Sequence, residues 1–202
     1  MPGKSREKTL RFNPRTDIPT IPNAMSIAGA VLALRGAKRI DTTAGIAQVA
    51  AGRFIDVLDG IVARKTGQTS DFGAGLDAGL DKAVTAIILY KIKSKNLAPT
   101  EIIAAITAFN GINAVASAKT IVEAGDETVR PEISGKLALA LETSSLLAHL
   151  VGSRLETTGQ SQLARVARGI GNLAFAVSLP FAVKSTLSYI ERARQSKHRN
   201  DK

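Results

Sequence analysis

Residues 56–81 read DVLDGIVARKTGQTSDFGAGLDAGLD, and the rest of the chain takes its meaning from this stretch. Eight residues stand in it at set intervals: Asp56, Asp59, Gly60, Ala63, Arg64, Gly73, Asp77 and Asp81. At average residue usage each position fills by chance about once in 15, so the whole pattern, D-x2-D-G-x2-A-R-x8-G-x3-D-x3-D, arises about once in 10⁹ starts. Residues three and four apart share one face of a helix. Asp56 and Asp59 are so related, with Gly60 and Ala63 on the same stripe; Asp77 and Asp81 form a second pair, with Gly73 one turn earlier. Two helices joined by the polar link 65–71 would face each other with two carboxylates apiece.

Carboxylates brought that close repel one another unless a cation sits between them. Hard oxygen donors in this number suit Mg²⁺ or Mn²⁺, and the chain has no cysteine and no nearby histidine to suggest zinc. Mg²⁺ held by a few carboxylates completes its shell with substrate phosphates. Gly60, Ala63 and Gly73 clear bulk from the same face, and Arg64 offers a planar charge matched to phosphate oxygens. Attack on a phosphoryl group also needs a base. Asp81, last in the pattern, is assigned that role. A merely solvated acidic surface would have no reason to interleave its charges with glycine and alanine.

Outward from this stretch, segments free of Lys, Arg, Asp and Glu cover 18–34, 42–52, 83–90, 102–118, 143–153 and 169–183. Most fall short of the ~20 apolar residues that cross a bilayer. The second and third reach that length only if the signature aspartates lie inside membrane-embedded helices. Such charges are tolerated when they face the bundle interior and bind something. The predicted fold is therefore all-α, a polytopic membrane bundle of about six transmembrane helices, with residues 18–190 as one domain. Mean hydropathy is only +0.08 and aromatics only 4%. On composition alone a soluble helical bundle would also serve; the signature turns the reading toward the membrane, where Ala and Gly permit close helix packing.

If both termini face the cytoplasm, inside segments carry sixteen basic residues and outside loops nine. That bias places the link 65–71 on the cytoplasmic side of the cell membrane. Residues 1–17 are basic and contain Leu10 and Phe12, as suits a juxtamembrane arm on anionic lipid, though a disordered tail fits equally. Residues 191–202 read as a basic polar tail. No removable signal peptide is expected, because no short apolar stretch leads to a small-residue cleavage site. A net charge of +10 raises the question of nucleic acid. Aromatic stacking residues are scarce and no binding motif is present, so no nucleic-acid partner is expected. A phosphorylated acceptor would need cations near the metals, for which Arg130, Lys136 and Arg154 are the candidates. His149 reads as a packed core residue, and Asn110 and Asn113 as a pair on one helix face with no catalytic role.

The central pattern resembles the signature of the CDP-alcohol phosphotransferase family, with every element present. The resemblance extends to Pro22-Asn23-Ala24-Met25-Ser26, similar to a P-N/D-x-x-T/S element near the nucleotide, and more weakly to Ser134-Gly135-Lys136. It implies an integral-membrane enzyme that transfers a substituted phosphate from a CDP-linked donor, here CDP-diacylglycerol, to an alcohol and releases CMP. Carried over by position, Asp56, Asp59 and Asp77 would hold the metals, and Asp81 would be the base and touch the second metal. Gly60 and Arg64 would contact the cytidine diphosphate, with Ser70 beside the phosphates and Asn23 and Ser26 near the nucleotide. A homodimer is implied as well. Gly29 resembles members that use inositol phosphate, whereas Asp81-Lys82 resembles those that use glycerol 3-phosphate, so the acceptor stays open between small polyol phosphates. The rival readings are another metal–diphosphate enzyme, such as a prenyl transferase, and a silent membrane scaffold.

Overall fold

The computed structural model describes residues 18–124 and 133–200. They form six helices and no strand: α1 Ile21–Ala37, α2 Thr43–Thr66, α3 Asp71–Ser94, α4 Thr100–Ala124, α5 Ile133–Thr157 and α6 Ser161–Asn200. The N-terminal arm and Arg130 lie outside the described residues. The tail expected from 191 begins as a continuation of α6, which carries Pro180 in its interior and runs to Asn200.

Local chemistry sets the starts and stops. Thr20, Thr42 and Ser70 cap α1, α2 and α3, each accepting from the backbone N–H three residues on, at Asn23, Gly45 and Gly73. α2 ends on Gly67, whose φ of 67° is the left-handed conformation that glycine adopts without a Cβ penalty. The short link from Gly67 to Ser70 returns the chain antiparallel.

Small residues set the spacing between helices. A Cβ added to Gly29 would lie 2.9 Å from the Gly52 carbonyl oxygen, and one added to Gly52 would lie 2.6 Å from that of Gly29. α1 and α2 therefore touch backbone to backbone. Gly29, read in the sequence as a hint of acceptor choice, has a packing reason of its own. α5 and α6 meet in the same way at Gly152, against the Ala164 carbonyl, and at Gly171, against the His149 ring. His149 is buried there at 2% exposure, as a core histidine.

The buried apolar centre joins Ala33, Ile40, Val49, Ile92, Ile106 and Leu150 from the first five helices and their links. Large apolar side chains also point outward, among them Phe54, Val57, Tyr90, Val115, Val122 and Leu173. A bilayer would cover so many exposed large apolar side chains. The stretches Thr100–Val122 in α4 and Ser161–Gln195 in α6 are long and apolar enough to cross one. α2 and α3, at 24 residues each, extend about 36 Å and carry the signature within their length. The fold is an all-α membrane helix bundle.

Candidate active site

Asp56 and Asp59 sit in the second half of α2, Asp77 and Asp81 in the first half of α3, so the turn at 67–70 brings all four to one end of the bundle. Asp56, Asp59 and Asp77 converge: each offers a carboxylate oxygen, and these atoms lie within 4.8 Å of one another. Asp59 is buried at 3% exposure, and its Oδ2 accepts a 2.5 Å hydrogen bond from the Ser26 hydroxyl. Ser26 is itself buried on α1. That bond fixes the Asp59 carboxylate from behind, as a neighbouring donor does for a metal ligand.

Whether these residues fit a hard cation can be judged from Asp77, whose Oδ1 is buried and has no hydrogen-bond partner. An orphaned carboxylate oxygen in the interior is costly, and here it lies beside two more carboxylates. α2 and α3 also make little close backbone approach to each other. An all-oxygen donor set with an unpaired buried member and space between its helices fits Mg²⁺ or Mn²⁺.

Asp81 stands outside that set of three. Its Oδ1 receives a 2.6 Å ion pair from Arg53 Nη2 and lies 3.5 Å from the Thr85 hydroxyl. The other guanidinium nitrogen is 3.6 Å from Asp56 Oδ2. The sequence reading missed Arg53. Its signal was present, three residues before Asp56 and so on the same helix face, but its main partner lies 28 positions along the chain and on another helix.

The nucleotide-side residues gather around the start of α3. Asn23 donates its amide to the Ile18 carbonyl at 3.0 Å, and its Oδ1 overhangs Gly73, where a Cβ would come within 2.8 Å. Gly73 is thus the residue that lets α1 reach the carboxylate helix. Ser70 Oγ accepts from Gly73 N at 3.0 Å, and Gln68 in the same link accepts from Ile21 N at 3.2 Å. Arg64 is exposed and reaches back along α2 over Gly60; a Cβ there would lie 3.4 Å from its Nη1. Ala63 is half-buried beside it.

The acceptor candidates separate. Arg154 donates to Thr43 Oγ1 at 3.2 Å and to Thr157 Oγ1 at 3.1 Å. Thr43 opens α2, thirteen residues before Asp56, so Arg154 sits about 20 Å away along the helix, at the opposite end of the bundle. The same contact makes α5 antiparallel to α2, which brings Lys136, in the first turn of α5 and exposed, to the carboxylate end. A second omission is Glu142 on α5, buried at 4% exposure and accepting from Asn110 Nδ2 at 3.1 Å. A cavity of about 470 Å³ between α4 and α6 contains none of these residues.

Comparison with known proteins gives two matches. The model of the CDP-alcohol phosphatidyltransferase family matches residues 17–183. The archaetidylinositol phosphate synthase of Pyrococcus horikoshii is 39% identical over 75 residues, covering 35% of this chain and 39% of that protein. No solved structure matches.

Proposed function

The chain belongs to the CDP-alcohol phosphatidyltransferase family, and from that premise we propose that it moves a phosphatidyl group from CDP-diacylglycerol to a hydroxyl of a small phosphorylated polyol, releasing CMP. The observation that carries this reading is the division of the four aspartates: three converge within 4.8 Å and the fourth is held apart by an arginine. Asp56, Asp59 and Asp77 would hold Mg²⁺ or Mn²⁺, with Asp81 reaching the second ion when it is not engaged as base. The bound metal supplies charge neutralisation to the diphosphate and to departing CMP.

The chain's own residues do the rest. Asp81 takes the proton of the acceptor hydroxyl, and the ion pair with Arg53 holds that carboxylate in place. The hydroxyl oxygen forms a bond to the phosphorus next to the lipid glycerol, while the bond from that phosphorus to the oxygen bridging to CMP breaks and CMP leaves with the electron pair. Gly60 and Ala63 admit the nucleotide against α2, Gly73 lets Asn23 approach the start of α3, Arg64, Ser70 and Asn23 line the nucleotide's side, and Ser26 holds Asp59. Lys136, at the carboxylate end, would meet the acceptor's phosphate; Arg130, outside the described residues, is the other candidate by sequence. The name of the Pyrococcus relative favours inositol phosphate over glycerol 3-phosphate as acceptor. The same reading makes the protein a multi-pass homodimer of the cell membrane with its site toward the cytoplasm.

The test is CMP release by purified, detergent-solubilised protein with Mg²⁺ and CDP-diacylglycerol, against inositol phosphate, glycerol 3-phosphate, inositol and serine. Acceptor-dependent release that EDTA abolishes is the expected result. Diphosphate release from a prenyl diphosphate, with no CMP from any acceptor, would replace the reading.

A further inference from the structure

α4 and α5 follow each other in the chain yet approach little; α4 lies against α3 and α6, and α5 against α2 and α6. Across the space between them Asn110 Nδ2 donates to Glu142 Oε2 at 3.1 Å, and the same amide is held by the Ile106 carbonyl at 2.9 Å. One helical turn beyond Asn110, toward the carboxylate end, Asn113 Oδ1 is buried without a hydrogen-bond partner. Thr143, next to Glu142, lines an internal cleft together with Arg53 and Thr85. Those are the two side chains that contact Asp81. Glu142, one residue before Thr143 on α5, and its partner Asn110 thus stand next to the cleft that Arg53 and Thr85 line.

A hydrogen bond between α4 and α5 does not require a charge. Glutamine at 142 would accept from Asn110 equally well, without the cost of burying a carboxylate inside a membrane bundle. A carboxylate has about four lone-pair positions, and Asn110 fills one. What an ionised group adds is strong, paired acceptance from hydroxyl donors.

We propose that Glu142, oriented by Asn110, is the specificity residue of the acceptor site, its carboxylate accepting two hydrogen bonds from a vicinal diol of the polyol. This rests on the transferase reading above and narrows it. Glycerol 3-phosphate has a single hydroxyl left beside the attacking one and cannot fill the position. A cyclitol phosphate has adjacent hydroxyls to spare.

The experiment measures initial rates of CMP release by the full-length, detergent-purified protein, wild type and Glu142→Gln, with inositol phosphate and a set of its monodeoxy analogues. In the variant, KM for inositol phosphate should rise about 10–100-fold, the loss of hydrogen bonds to a charged group, while KM for CDP-diacylglycerol moves less than about twofold. At least one monodeoxy analogue should be a poorer substrate than inositol phosphate for wild type, and that difference should vanish in Glu142→Gln. Asn110→Ala, which disturbs only the orienting bond, should raise the same KM to a smaller extent and covers the case in which Glu142→Gln fails to fold. An unchanged acceptor KM in both variants overturns the assignment while leaving the transferase reading intact. A fall in kcat with every analogue discriminated as in wild type would make Glu142 structural and also overturns it. No CMP release by wild type with any polyol phosphate overturns both.

Discussion

Ser26 donates to Asp59 at 2.5 Å from a buried position on α1, a helix that supplies none of the four carboxylates. Its hydroxyl sets which Asp59 lone pairs face Asp56 and Asp77. Ser26→Ala should therefore weaken Mn²⁺ binding about 10-fold or more without removing any ligand, the usual size of an outer-shell effect; a titration followed by the Mn²⁺ spin-resonance signal measures it. Asp81→Asn should separate binding from chemistry. Turnover should fall about 10²–10⁴-fold, the span of a general base, while CDP-diacylglycerol and Mn²⁺ bind largely as before. Comparable loss of binding and turnover would make Asp81 chiefly a ligand. At this scale the sequence spoke clearly where spacing alone carries the geometry: intervals of three and four put each pair of aspartates on one face. It was silent on Arg53 and Glu142. Arg53 finds its main partner on another helix, and Glu142 looked like the charge that interrupts an apolar segment until α4 was placed beside it. Arg154 was misleading for the same reason, since nothing local shows to which end of the bundle a helix terminus is carried.

The helices themselves depend on where a side chain is forbidden. At Gly52 a methyl group would come within 2.6 Å of the Gly29 carbonyl oxygen and within 2.8 Å of Ala33 Cβ, both on α1. Backbone cannot yield as a flexible side chain can, so Gly52→Ala should cost about 1–3 kcal/mol by overpacking and lower the detergent melting temperature. Gly169 on α6 has nothing within 4 Å of a built Cβ. Gly169→Ala should raise the melting temperature, by about 0.5–1 kcal/mol of helix propensity; a drop in both variants alike would show that packing is not the cause. The ion pair of Lys95 Nζ with Asp41 Oδ2, at 2.7 Å, ties the end of α3 to the α1–α2 link. The lysine hydrogen bond holds the Asp41 carboxyl below its ordinary value. What stability the pair gives is present above about pH 4 and lost as pH falls through the lowered value; for so exposed a pair it stays under about 1 kcal/mol. The helices were legible from the charge-free segments and from the need to keep the signature in regular structure. Which ones touch was not, because the deciding glycines differ from other glycines only in what stands opposite.

Across the whole bundle, chain direction sorts the charges. The α2–α3 link, the start of α5 and the end of α6 lie at the carboxylate end, and the α1–α2, α3–α4 and α5–α6 links at the other. Arg35, Lys38, Arg39, Lys91, Lys93, Lys95, Arg154, Arg165 and Arg168 are near the second end, and Arg64, Lys65, Lys119, Lys136, Arg192 and Arg194 are near the first. The proposed orientation of the carboxylate end toward the cytoplasm rests on the sequence-wide bias of sixteen basic residues to nine; it would let a water-soluble acceptor and CMP exchange there. The chain contains no cysteine, so single cysteines report orientation without background. Gln68→Cys, in the exposed α2–α3 link, should react with a membrane-impermeant maleimide only when the cytoplasmic face is opened, as in inside-out vesicles. Gln160→Cys, in the exposed α5–α6 link, should react only from the opposite face. Labelling of Gln68→Cys in intact cells would invert the bundle and place the carboxylates away from the CDP-linked donor. Reaction of both from one side would mean an even number of crossings between the two positions, whereas the antiparallel arrangement of α3, α4 and α5 requires three.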